Sequence, residues 1–303
     1  MRPDLLVVLG PTASGKTRLG VQLASLLRGE IISADSRQVY RGMDIGTGKD
    51  LGEYGDVPYH LIDIVDPGYD FNVFEFQRRF LEVFQSIQQR GKLPVMAGGT
   101  GMYLDAVLSG YNLVEVPENP ALRCDLQGKS LEDLAMRLRA ASSRLHNTTD
   151  LLDRNRLVRA IEIAEYEAEN PGQPFPKIMP IVFGIRWERN LLRRRITERL
   201  KERLRNGMIE EVEGLCRNGV SFETLEFYGL EYRFVVRFLK GELNRNDMFQ
   251  KRDSAIHEYA KRQETWFRRM ERNGMRIVWL EGAGESLAQA LDVLRCGSHM
   301  ELP

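Results

Sequence analysis

Six short apolar runs divide this chain of 303 residues, and stretches with helical periodicity lie between them. The runs are Leu5–Gly10 (LLVVLG), Glu30–Ala34 (EIISA), His60–Val65 (HLIDIV), Leu93–Ala97 (LPVMA), Ile178–Ile185 (IMPIVFGI) and Arg276–Leu280 (RIVWL). Runs of this length next to Gly, Pro and polar turn residues predict buried strands. Between the first two, Leu19, Val21, Leu23, Leu26 and Leu27 recur at helical spacing over Arg18–Leu27, and Gly29 ends the helix. Phe76, Phe80, Leu81, Phe84 and Ile87 mark a second amphipathic helix, Phe74–Arg90, stopped by Gly91. Strands alternating with helices predict an α/β fold with a central parallel sheet flanked by helices. No internal repeat or low-complexity tract interrupts it.

The pattern changes at Tyr111. Ser130–Arg144 and Asp153–Ala168 read as charged helices, and Pro171, Pro174, Pro176 and Pro180 mark a connection. Residues 113–177 are therefore expected to form a helical insertion, with residues 1–112 and 178–296 as the core. Further helices follow over Asn190–Asn206, within Met208–Lys240 and over Ser254–Met270. The tail 297–303 opens with GSHM, reads as a cloning remnant and is set aside. Gly46, Gly48, Gly52 and Gly55 predict a mobile loop over Ile45–Asp56, suited to covering a site.

Composition narrows the picture only locally. There are 43 basic and 43 acidic residues, so net charge announces no partner. Arg186–Arg217 nevertheless holds ten basic against six acidic residues, and Lys251–Arg276 eight against four. Basic faces, not totals, attract phosphate backbones. The three cysteines, Cys124, Cys216 and Cys296, are scattered, which fits a reducing compartment and argues against a zinc or disulfide framework. The longest apolar run is too short for a membrane span, and the first strand starts at once, without a signal peptide. A soluble, cytoplasmic protein is expected.

Candidate chemistry gathers where strands end. Gly10, Gly15, Lys16 and Thr17 fit G-x-x-x-x-G-K-[ST] between a strand and a helix, the context a P-loop requires. Backbone N–H groups, the helix dipole and Lys16 would hold a di- or triphosphate, and Thr17 offers its hydroxyl to a Mg²⁺ bridging phosphate oxygens. Asp35-Ser36-Arg37-Gln38-Val39-Tyr40 follows the second strand, so it should lie beside the P-loop. Asp35 is there a candidate base or metal-shell ligand, or a turn former. Asp63, in the third run, is a weaker candidate for organising a metal. The fourth strand leads into Gly98-Gly99-Thr100-Gly101-Met102-Tyr103, a second loop where backbone can approach a ligand. Arg156 and Arg159 project together from the side of one helix opposite its apolar stripe, by default a solvated charged face. Arg262, Trp266 and Arg269 share a face of another, which suits nucleic acid or a packed Trp equally. From these residues three classes remain open: a P-loop kinase, a transferase with a different phosphorylated donor, and a nucleotide-binding regulatory module.

GPTASGKT, DSRQVY and GGTGMY, followed by NRLVRAIE, RRRITERL and YAKRQETWF, resemble the tRNA dimethylallyltransferase (tRNA isopentenyltransferase) family, bacterial type, over nearly all of residues 5–280. The resemblance implies a P-loop NTPase-like core with a helical tRNA-binding insertion. It implies a donor, dimethylallyl diphosphate, held with Mg²⁺ on Thr17 by Gly10, Pro11, Thr12, Ala13, Ser14, Gly15, Lys16 and Thr17. The acceptor would be N6 of the adenosine 3′ of a tRNA anticodon, with Asp35, Thr12, Lys16 and Arg195 catalytic. Asp35, Ser36, Arg37, Gln38, Thr100, Gly101, Arg123, Asn155, Arg156 and Arg159 would contact the anticodon stem-loop. A monomer without membrane contact is expected. His257 stands where the family usually shows arginine. The alternatives are an isopentenyltransferase acting on free adenylate, and a small-molecule kinase.

Overall fold

The computed structural model describes residues 3–141, 153–170, 172 and 174–298. One parallel sheet organises the larger unit. Its strands are β1 (Leu5–Leu9), β2 (Gly29–Ala34), β3 (Tyr59–His60), β4 (Leu93–Gly98), β5 (Pro180–Arg186) and β6 (Ile277–Glu281), in the order β3-β2-β4-β1-β5-β6. β1 lies between β4 and β5 and is buried along its whole length, which is why its sequence is apolar without alternation. Helices α1 (Lys16–Leu26), α2 (Val73–Gln89) and α3 (Gly101–Leu108) connect the first strands. Leu19 and Leu23 of α1 pack on Leu6, Val8 and Ile31 of the sheet. α2 begins where the Asn72 side chain accepts the Glu75 N–H, and its Phe76 stacks on Tyr103 of α3 with ring centroids 4.1 Å apart.

Registers bring three strand ends together: Leu9 pairs with Gly98, and Gly98 with Ala34. The loops leaving β1, β2 and β4 therefore emerge side by side at the C-terminal edge, where open α/β sheets bind ligands. The remaining helices of this unit are α7 (Arg189–Arg205), α8 (Met208–Arg217), α9 (Phe222–Phe227), α10 (Leu230–Leu239) and the 28-residue α11 (Arg245–Arg272); α12 (Ser286–Ser298) follows β6. No helix among the described residues is long and apolar enough to cross a membrane.

The run HLIDIV departs from expectation. Its strand is only Tyr59–His60, because Leu61 and Asp63 adopt φ of 62° and 55° and turn the chain out of the ladder. The glycine-containing loop after Met43 is also anchored instead of free. Lys49 is buried and donates to the Tyr40 carbonyl at 2.7 Å, to Asp44 at 2.6 Å and to Asp63. Asp63 is thus the counter-ion of a buried lysine. Gly297 and Ser298, set apart with the tail, are the last residues of α12; residues 299–303 lie outside those described.

The chain separates into two compact units, Met1–Gly110 with Lys177–Pro303, and Tyr111–Pro176. The second unit contains α4 (Pro120–Leu126), α5 (Leu131–Ala141) and α6 (Arg154–Glu169) around Leu126, Leu134, Leu138, Leu157 and Ile161. The end of the helix expected over Ser130–Arg144, residues 142–144, lies outside the described residues, as do Pro171 and residue 173. Glu162 sits fully buried in α6. It accepts from Arg123 at 2.7 and 3.0 Å, from Arg159 at 3.0 Å and from the Asn119 N–H at 3.0 Å. Burial pushes its carboxyl up, but these donors outweigh that and hold it down at about 2.

Candidate active site

The P-loop between β1 and α1 is shaped from behind. The Trp187 indole donates to the Ser14 carbonyl and Arg195 Nε to the Ala13 carbonyl, both at 2.9 Å, while the Arg195 guanidinium lies 4.2 Å over the Trp187 ring. Ala13 and Gly15 take φ of 61° and 89°, which turn successive peptide units through the loop. The first turn of α1, Lys16 and Thr17 included, keeps N–H groups that have no intrahelical acceptor. Ser14 Oγ is buried with no protein partner, a donor left inside the loop. Such a concavity suits phosphate oxygens.

Gln263 of α11, which sequence reasoning did not isolate, joins this loop to the second one. Its Oε1 accepts the Thr12 N–H at 2.9 Å and its Nε2 donates to the Gly99 carbonyl at 2.8 Å. Residue 99 must be glycine for this approach, since a Cβ there would come within 2.5 Å of Gln263 Nε2. Thr100 caps α3 without a side-chain bond to that helix; its Oγ1 instead accepts the Ser36 N–H at 3.0 Å. Asp35 Oδ1 accepts the Arg37 N–H at 2.9 Å, an Asx turn that leaves Oδ2 outside this bond. The DSRQVY segment and the second glycine loop are thus bonded to each other beside the P-loop.

A cavity lies among these elements. Thr12, Lys16 and Thr17 line it on the P-loop side, and Asp35 and Arg37 on the other. Tyr259 of α11, Arg199 and Arg203 of α7 and Glu231 of α10 complete the wall. Burial pushes the Lys16 ammonium down to about 8; Asp35 opposes that shift, and Arg199 and Arg203 add to it. Burial, with Arg199 next to it, lowers Arg203 to about 10. Burial also pushes the Tyr259 and Tyr54 phenols up, so both stay neutral. A confined cluster of cations beside two carboxylates favours a polyanion. Thr17 lines the cavity with a hydroxyl that could serve a metal ion, and no group of three acidic, His or Cys side chains among the described residues could hold one alone.

Several residues singled out from the sequence also make contacts within the protein. Gln38 lines the cavity and is buried, accepting from Ser33 Oγ and donating to the Gly48 carbonyl, both at 3.1 Å. Arg195 supports the loop from behind, and it is Arg199 and Arg203, one and two turns further along α7, that line the cavity. Trp266 sets its ring against Gly101, with Arg269 5.4 Å over it. His257 meets Asp253 at 3.2 Å and Thr197 at 3.4 Å, tying α11 to α7. In the second unit Arg123 and Arg159 clamp Glu162, whereas Asn155 and Arg156 are exposed on α6. Gln263, Arg203 and Glu231 escaped the sequence reading because single polar residues on long helices carry no local signal; only the fold brings them to the cavity.

A family model described as IPP transferase matches residues 38–270. A tRNA dimethylallyltransferase 1 of Geotalea daltonii is 70% identical over 292 residues, covering 96% of this chain and 95% of that protein. A protein of the same name from Geotalea uraniireducens is 68% identical over 295 residues, 97% of this chain and 98% of its own. Among solved structures, a tRNA isopentenylpyrophosphate transferase from Bacillus halodurans superposes with a TM-score of 0.71 at 30% identity, covering 97% of this chain and 96% of that one. A eukaryotic dimethylallyltransferase acting on tRNA gives a TM-score of 0.80 at 21% identity, a likeness of fold covering 99% of this chain and 80% of that one.

Proposed function

The chain belongs to the IPP transferase family, and we propose on that footing that it transfers a dimethylallyl group from dimethylallyl diphosphate to N6 of the adenosine immediately 3′ of a tRNA anticodon. One observation carries the reading: Lys16 of the P-loop and Asp35 of DSRQVY line the same cavity, a cation for a leaving diphosphate and a carboxylate for the incoming nucleophile.

The exocyclic nitrogen of adenine is a poor nucleophile because its lone pair is delocalised into the ring. As the allylic C–O bond breaks and the C–N6 bond forms, the N6 proton passes to Asp35, and the electron pair of the broken bond leaves with the diphosphate. The Asx turn with the Arg37 N–H fixes the Asp35 carboxylate on one oxygen. Lys16 and the N–H groups at the start of α1 stabilise the growing negative charge, with Arg199 and Arg203 beside them. Arg195 acts by holding Ala13, and Thr12, whose N–H is taken by Gln263, offers its side chain to the cavity. A Mg²⁺ on Thr17 and the diphosphate oxygens would further neutralise the leaving group.

To reach Asp35 the adenosine must leave the anticodon stack. Ser36 and Arg37, which follow Asp35, and Thr100 and Gly101, tied to them by the Ser36 N–H bond to Thr100, would contact the flipped base, and exposed Asn155 and Arg156 would grip the RNA elsewhere. We expect it to act as a monomer, in the cytoplasm with its RNA substrate. Labelled dimethylallyl diphosphate offered with unmodified tRNA and, separately, with AMP tests the reading. Label on tRNA supports it; label on AMP alone would make the protein an adenylate isopentenyltransferase.

A further inference from the structure

α9 ends on a phenylalanine that points away from the core. Phe227 is 67% exposed, and the next residue, Tyr228, is 1% exposed. A lone exposed aromatic is ordinary on protein surfaces and by itself signifies nothing. Its surroundings set this one apart. The Tyr228 ring packs on Tyr40, with centroids 4.3 Å apart, and its hydroxyl accepts the Gly68 N–H. The Arg37 guanidinium lies 5.8 Å over the same ring, and Arg37 lines the cavity with Asp35. The Phe227 ring centroid lies 6.1 Å from that of Tyr228. Gly229 closes the turn at φ 111°, and a Cβ there would meet Arg37 Nε at 3.7 Å. The buried, hydrogen-bonded Tyr228 is thus fixed against Arg37, and the solvent-facing Phe227 ring lies next to it, on the acceptor side of the cavity.

We propose that Phe227 is a stacking platform for an unpaired base of the RNA that flanks the adenosine entering the cavity. The inference rests on the reading of the acceptor as tRNA. When one nucleotide turns out of a single-stranded loop its neighbours lose a stacking partner, and a rigid aromatic face supplies another without regard to base identity. Arg37 next to it supplies charge for the intervening backbone. Phe227 touches no reacting atom, so its contribution belongs to RNA binding and not to the chemical step.

The test is steady-state prenyl transfer with the whole protein, dimethylallyl diphosphate and an anticodon stem-loop RNA, comparing wild type, Phe227→Ala and Phe227→Trp. Phe227→Ala should raise KM for the RNA roughly 5- to 100-fold, the range of one lost stacking contact. KM for the donor and kcat at saturating RNA should stay at the wild-type values. Phe227→Trp, which keeps the flat face, should restore KM for the RNA. If wild type transfers the prenyl group and Phe227→Ala matches it in KM for the RNA, the platform is overturned. An equal loss in both variants, or one that falls equally on the donor, would overturn it too, because those patterns mark a disturbed fold. A wild-type protein that prenylates no RNA would instead defeat the functional reading beneath it.

Discussion

Gln263 is bonded to Thr12: its side-chain oxygen accepts the backbone N–H of the P-loop residue at 2.9 Å, 251 positions earlier in the chain. The other end of the same amide holds the Gly99 carbonyl. One buried side chain thus sets the spacing between the loop suited to a diphosphate and the loop bonded to Ser36. Gln263→Ala would leave a donor and an acceptor unpaired out of water, costing about 1–3 kcal/mol for each. Both loops would then be free to shift, and displacements near 1 Å cost about 10²-fold in rate. We expect kcat to fall by about that factor with a lowered melting temperature. Gln263→Glu, which keeps the oxygen but brings charge near the donor, should raise KM for the diphosphate further. Kinetics and thermal melting of both variants check this.

Lys16 makes donor binding depend on pH. Its folded value, pushed down to about 8 by burial, lies below the ordinary 10.5. The unliganded fold therefore binds fewer protons than the unfolded chain between these values, so its stability rises with pH across that window. Diphosphate binding favours the charged amine and takes up a proton above pH 8. KM for the donor should be flat below about pH 8 and climb above it, while Lys16→Ala should show a high KM without that climb. Donor KM measured from pH 6.5 to 9.5 decides.

Gly48 faces the two arginines of the cavity wall. It takes φ 64°, and a Cβ there would lie 1.8 Å from Arg203 Nη2 and 2.7 Å from Arg199 Nη2. Glu211 fixes the same loop by accepting the N–H groups of Asp44, Ile45 and Gly46 at 2.6–3.0 Å, so the backbone has little room to give. Gly48→Ala should displace both arginines and weaken donor binding at least about tenfold, or roughly 1.4 kcal/mol. Gly52→Ala, with no atom within 4 Å of the new Cβ, should leave it unchanged. Donor titrations of the two variants provide the comparison.

Glu162 stabilises the helical unit. Its carboxyl, held at about 2 in the fold against an ordinary 4.5, contributes fully above pH 4.5, and the contribution is lost as pH falls toward 2. Glu162→Ala leaves Arg123 and Arg159 without their shared acceptor and should cost about 3–5 kcal/mol. Proteolysis within residues 111–176 should accelerate in this variant, and wild type should show the same change on acidification.

The P-loop was legible because a strand, a glycine turn and a helix start follow one another within thirteen residues, Leu5–Thr17, and need no tertiary partner. The third strand was not. HLIDIV has the apolar content of a strand, yet Leu61 and Asp63 turn left-handed so that Asp63 can meet Lys49, a contact no window of sequence contains. The start of α11, Arg245–Asp253, was missed for a related reason: its buried residues there are Met248 and Arg252, and the buried arginine hides the periodicity. The same effect concealed Gln263 and Arg203. Arg156 and Arg159 read as one charged pair on α6, and nothing local shows that Arg159 turns to Glu162, a carboxylate buried only once α6 packs on its neighbours.

The central claim is that Asp35 takes the proton from the adenosine nitrogen in the cavity shared with Lys16. Single-turnover transfer with saturating donor and tRNA, comparing wild type and Asp35→Ala, tests it most directly. The account predicts a rate roughly 10²–10⁴-fold lower in the variant, with tRNA affinity unchanged. A variant that transfers the prenyl group within a few-fold of the wild-type rate would contradict it.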